Sequence, residues 1–123
     1  MSDEVADAIA NGREYIEQNG WWRGNLMGPN GRQACALGGL LLGNGLETNV
    51  VLEKHPLVMK AVNRIAGVLE PSLAEQYANS QYPIQSIIWS WNDSKNDCKG
   101  KQDVLDVFAK AEKIERAGFD PDE

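Results

Sequence analysis

The sequence predicts a mainly α-helical fold, a single compact helical domain of four to six helices with room for one short β-hairpin near residues 21–36. Three observations carry this. Apolar residues recur at i, i+3, i+4 and i+7 in several separate stretches, which is the spacing of one helix face. Those stretches end at strong stops such as Asn19-Gly20, Pro71 and Gly118. The chain has 123 residues, 42% hydrophobic and 24% charged, which suits one domain whose core needs neither disulfide nor metal.

The first helix has Ser2 as its N-cap and Asp3 and Glu4 in an acidic first turn, with Val5, Ala8, Ile9, Gly12, Tyr15 and Ile16 as its buried face. Asn19-Gly20 closes it. From Gly20 to Gln33 the glycines at 20, 24, 28 and 31, with Pro29-Asn30-Gly31 among them, force turns that no long helix tolerates. A hairpin turning at Gly28 to Gly31 and a compact irregular loop both satisfy that pattern. Ala34 to Leu42, "ACALGGLLL", is apolar nearly all round and reads as a central buried helix whose Gly38-Gly39 admit a close neighbour. Asn44-Gly45 ends it, and "LETNVVLEK" leaves strand and helix both open.

A clearer helix starts at Pro56, a favoured first helical position, and carries Val58, Val62, Ile65 and Leu69 on one stripe until Pro71 stops it. A short helix through Leu73 to Ala78 follows. In "YPIQSIIWSWND", Ile84, Ile87, Ile88 and Trp91 keep helical spacing while Trp89 points off their stripe. From Asp103, the residues Val104, Val107, Phe108, Ala111 and Ile114 form the face of a last helix, with Asp106/Lys110 and Glu112/Arg116 as i, i+4 pairs. The domain is read as residues 1–118, with residues 119–123 as an acidic C-terminal tail.

The net charge of −6 is unevenly spread: both ends are acidic, and basic residues exceed acidic ones only within residues 21–70. Nucleic-acid binding depends on Lys and Arg neutralising phosphates, so no nucleic-acid partner is expected. Arg23, Arg32, Lys54, Lys60 and Arg64 are the spread of a solvated surface. The acidic start lacks the basic-then-apolar order of a secretory leader. No apolar run approaches the roughly 20 residues of a membrane span. Cys35 and Cys98 lie far apart without a CxxC pair, so the expected setting is cytoplasmic, with both thiols reduced.

Chemical motifs are sparse. The Gly-rich loop lacks the Lys-Ser/Thr ending of a phosphate-binding P-loop, and Gly43-Asn44-Gly45 lacks the third glycine of a dinucleotide fingerprint. Cys35 at a helix start would be a nucleophile only with a base beside it, and the single histidine is His55, itself a helix-start residue before Pro56. A small buried thiol is the reading adopted. One His and two distant Cys fit no zinc spacing, so neither metal nor cofactor is expected. Trp91-Asn92-Asp93 reads first as a structural end, an Asx turn closing one helix; the alternative is that Asp93 instead pairs with Arg23 or Arg32, tying the loop to the far end of the chain. Trp21 and Trp22 are either core filling or an exposed aromatic surface beside Arg23.

Read together, "GWWRG", "GPNGRQACALGGLL", "WND" and "DVLDVFAKAE" resemble an uncharacterised family of small actinobacterial and actinophage proteins, a domain of unknown function. The matching positions are Gly20, Trp21, Gly24, Gly31, Arg32, Cys35, Gly38, Gly39, Leu40, Trp91, Asn92, Asp93, Asp103 and Val104. The chain departs from the pattern where members often place Thr as the cap of the last helix and this sequence places Gly100, after a longer "SKNDCKGK" loop. The resemblance implies a setting, a bacterial cytoplasm during phage infection, and no activity.

The functional expectation is a non-enzymatic protein-interaction module, a phage accessory protein binding a host protein, with Trp21, Trp22, Arg23 and Met27 as the contact surface. The alternative is a small-molecule-binding protein or enzyme with a pocket between the Gly-rich loop and the WND motif, using Arg32, Cys35, Asn92 and Asp93. Homo-oligomerisation stays open. Both readings require the Gly-rich bend to be seated against the region around Trp91.

Overall fold

A computed structural model of the chain describes residues 3–119. Six α-helices follow in order: α1 (Asp3–Asn19), α2 (Ala36–Gly43), α3 (Pro56–Leu69), α4 (Ala74–Ala78), α5 (Gln85–Asp93) and α6 (Lys101–Ala117). Single 3-10 turns at Leu52–Lys54 and Pro71–Leu73 lead into α3 and α4. The ambiguous segment before Pro56 is therefore neither strand nor α-helix. The expected cap Ser2, and residues 120–123 of the expected tail, lie outside the described residues.

Packing follows from the apolar faces. The helix α1 lies against α6 on one side and α2 on the other, and α3 packs across α1, α4, α5 and α6. Ile9, Ile16, Leu40, Val62, Ile65, Ile88, Val104 and Phe108 are fully buried where these faces meet. Each such side chain contributes about 1.5–3 kcal/mol on leaving water. Gly12 sits where α1, α2 and α6 converge: a Cβ there would stand 2.9 Å from the Leu40 Cα and 2.9 Å from the Phe108 ring. The missing side chain lets three helices approach at one point, which offsets the poor helix propensity of glycine.

The residues behind each boundary match the sequence reading. Pro56 opens α3, Glu70 caps it ahead of Pro71, and Gly118 ends α6 in the left-handed conformation at φ 81°. The helix α6 starts two residues before Asp103, with Gly100 preceding it and offering no side-chain cap. The Asp103 carboxylate instead accepts the Lys99 N–H at 2.7 Å, satisfying the loop ahead of the helix. On the outside, Arg116 reaches Glu112 at 2.9 Å, as its spacing predicts, and also Asp7 of α1 at 3.0 Å. Arg13–Glu112 and Arg64–Glu115 are further interhelical pairs, the latter with a nearly buried Glu115.

No hairpin forms at residues 21–36. The chain does turn at Gly28–Gly31, where the Gly28 N–H donates to the Gln33 carbonyl at 2.7 Å and Asn30 Oδ1 accepts from the N–H groups of Arg32 and Gln33. Only two isolated bridges follow, and both converge on Ala34, one from Trp21 in parallel sense and one from Met27 in antiparallel sense. Neither bridge is continued by a neighbouring pair, so no ladder forms and the segment is a compact irregular loop. Among the described residues no helix is long and apolar enough to cross a membrane.

Candidate functional site

The Gly-rich loop closes on the end of α5 through one side chain. Asn92 is fully buried and uses its whole amide. Its Oδ1 accepts the Trp21 indole N–H at 2.7 Å and the Ala36 backbone N–H at 3.0 Å. Its Nδ2 donates to the Trp22 carbonyl and to Asp93 Oδ1, both at 3.3 Å. The Ala36 N–H is one of the donors at the start of α2 that the helix itself leaves unpaired. Thus Asn92 caps a helix from across the molecule while it pins the loop ahead of that helix.

Arg23 completes the closure. Its guanidinium donates to the carbonyls of Asn92 at 3.2 Å and Cys98 at 3.0 Å, and lies over the Trp21 ring at 4.9 Å from its centroid. The expected pairing of Asp93 with Arg23 or Arg32 does not form. Arg23 is turned to backbone carbonyls, Arg32 is exposed on the loop, and Asp93 Oδ1 instead accepts the Gly24 N–H at 2.9 Å. Nor does Asn92 make a local Asx turn, because its Oδ1 is committed to Trp21 and Ala36, far away in sequence. The tie between loop and WND therefore exists, but without an ion pair: the Asn92 amide, the Arg23 guanidinium and the Asp93 carboxylate each bond backbone or indole groups across it.

Cys35 is the N-cap of α2, with Sγ accepting the Gly38 N–H at 3.3 Å and its own N–H reaching the Leu26 carbonyl at 3.3 Å. Burial pushes its thiol pKa up; backbone hydrogen bonds oppose this, and the Asp93 charge adds to it. The net direction favours the neutral thiol, so desolvation outweighs activation by the helix start. His55 lines a separate depression between α1 and the start of α3, with Glu4, Asp7 and Asn11, so Cys35 and His55 are not brought together. Cys98 is also buried and free, with its pKa raised by burial. Among the described residues no three His, Cys, Asp or Glu side chains are grouped to hold a metal ion.

Next to this joint is a cleft of about 310 Å³, walled by Leu26, Leu37, Leu41, Val50 and Leu52, with Gly24, Cys35, Thr48, Gln85, Trp89 and Asp93 completing the lining. Of the residues expected to form a pocket, Cys35 and Asp93 meet here, while Arg32 stands outside and Asn92 is sealed beneath. Of the residues expected as a contact surface, Trp21, Trp22 and Arg23 are half-buried and Met27 is 37% exposed. Trp89, Gln85 and Thr48 are the lining residues the sequence did not single out. Trp89 gave a signal, since it falls off the apolar stripe of its helix and emerges 46% exposed.

Residues 1–114 match the model of a family of unknown function, DUF6197. The chain belongs to that family. The matched region runs from α1 into the last turns of α6, so the joint and the cleft of this DUF6197 protein both lie inside it. No curated protein and no solved structure matches the chain.

Proposed function

We propose that this DUF6197 protein is a non-enzymatic protein-interaction module whose cleft between the Gly-rich loop and α5 accepts one large apolar side chain from a partner protein. The observation that carries the reading is the combination of an apolar concavity with a half-exposed tryptophan at its lip. An exposed indole beside a desolvated pocket is the composition of a binding hot spot. Val51, 53% exposed between the lining residues Val50 and Leu52, adds apolar surface alongside. The chemistry of the lining supports binding over catalysis: its thiol is buried and held neutral, and no histidine stands beside it.

The contact surface moves from Trp21 and Arg23, whose indole N–H and guanidinium are committed to partners within the chain, to Trp89, with Trp22 and Met27 at the edge of the loop. The family resemblance supplies the finer reading, a phage accessory protein acting on a host protein in a bacterial cytoplasm. Selection of a random peptide library on the folded protein tests it. Enriched peptides are expected to carry a large apolar residue and to lose at least tenfold in affinity on Trp89→Ala, while Arg32→Ala leaves them unchanged. Peptides whose binding ignores Trp89→Ala would end the cleft reading. A second reading, a small-molecule pocket, is favoured by the volume, which falls at the low end for ligand sites. A thermal-shift screen of small metabolites, with stabilisation abolished by Trp89→Ala, would select it.

A further inference from the structure

Resting on the cleft reading above, we infer that the apolar side chain enters beside a cationic one, and that the partner segment therefore presents a Lys or Arg next to its apolar anchor. Gln85, Trp89 and Asp93 stand four residues apart along α5 and all line the cleft, so one helix face carries an amide, an indole and a carboxylate in a row. Residues at that spacing are neighbours, with Cβ atoms about 5–6 Å apart. An indole face and a carboxylate one turn apart attract the same ligand group, a cation, the first through its ring quadrupole and the second through its charge.

The state of these groups points the same way. Asp93 Oδ1 is fixed by the Gly24 N–H and the Asn92 amide, and neither donor is a cation. Its second oxygen takes no bond and the carboxylate enters no ion pair among the described residues, although it stands at the surface. The side chains of Gln85 and Thr48 are likewise without protein hydrogen bonds among the described residues, so each is free to turn an oxygen toward a bound donor. No basic side chain lines the cleft. An ammonium offers three donors and a guanidinium five, with no acceptor, which is the complement of such a rim. A partner carboxylate would meet Asp93 with like charge and no cation to relieve it.

Two probes of equal apolar body and opposite charge test this, 3-phenylpropylammonium and 4-phenylbutanoate, titrated into the full chain and followed by amide and indole N–H chemical shifts. The ammonium is expected to move the Trp89 indole and Gly24 resonances and to bind at least fivefold more tightly than the carboxylate. Asp93→Asn keeps an acceptor for Gly24 and is expected to bring the two probes within twofold of each other. Glu14→Gln removes the same charge from an exposed site on α1 and is expected to leave the preference intact, which separates the rim from the overall negative field. Equal binding of the two probes to the wild-type cleft overturns the inference while the cleft reading stands. Failure of both to perturb the cleft overturns the two together, and a preference lost equally in Glu14→Gln assigns it to net charge and overturns the inference alone.

Discussion

Trp21 and Trp89 flank the same joint, and they are used in opposite ways. The Trp21 indole N–H is bound by a fully buried amide and its ring is covered by a guanidinium. Trp89 is 46% exposed, and its N–H has no protein partner among the described residues. A tryptophan with its polar atom satisfied and its face covered is part of the architecture, whereas one with both left open is available to another molecule. The distinction is set by Asn92, which reaches the loop and not the cleft. It turns a composition that reads as one aromatic surface into a closed joint and an open lip.

The comparison is broken most forcefully at Asn92. Asn92→Ala leaves the Trp21 indole N–H and the Ala36 N–H inside the protein without acceptors, and frees Trp22 from its tie. Stranded buried donors cost about 1–3 kcal/mol each, so a loss of about 3–5 kcal/mol is expected in urea denaturation. That is a large share of the stability of an ordinary domain, about 5–15 kcal/mol. A loss under about 1 kcal/mol would mean the joint is held elsewhere.

Gly38 tests the other wall of the joint. A Cβ on Gly38 would lie 2.0 Å from the Leu26 carbonyl oxygen, a backbone atom that also accepts the Cys35 N–H. Gly38→Ala is therefore expected to destabilise by about 2–3 kcal/mol, the cost of overpacking where the neighbour cannot swing aside. Gly100 is the control: a Cβ there meets nothing within 4 Å, and its φ of 165° is extended backbone. Gly100→Ala should cost under about 1 kcal/mol, the scale of a cap change. Similar melting points for the two variants would show that the loop adjusts around α2.

Arg23 sharpens the contrast between structure and surface. Arg23→Lys keeps the charge but loses the planar fork that spans the Asn92 and Cys98 carbonyls. A loss of about 1–2 kcal/mol is expected, together with unchanged affinity for any peptide that binds the cleft. If stability holds and affinity falls, Arg23 belongs to the contact surface after all.

Much of this was legible in the sequence, for reasons that differ by region. The helices were, because periodic apolar residues and strong stops are local signals: Pro56 and Gly118 bound their helices where the spacing places them. The seating of the loop against WND was also foreseen, but its chemistry was not. Charge suggested an Asp93–Arg pair, whereas Asn92, uncharged and beside it, carries the tie, and nothing local indicates whether an amide reaches across the chain. The cleft was hidden for a further reason. Its walls come from the loop, α2, the irregular segment before Pro56 and α5, so only packing of distant segments assembles it.

Trp89→Ala carries the smallest expected effect on stability and the most information about function. The side chain is 46% exposed and holds no protein hydrogen bond among the described residues, so its removal should shift stability by under about 1 kcal/mol, although a tryptophan is being deleted. Removal of a core aromatic would cost about 3–5 kcal/mol. The gap between those figures is wide enough for a thermal melt to decide whether this indole is held by the fold or only displayed by it. A loss on the core scale would make Trp89 a structural counterpart of Trp21 and erase the contrast between the two sides of the joint. A near-silent melt combined with lost peptide binding would place the indole where a partner, and not the protein itself, completes its burial.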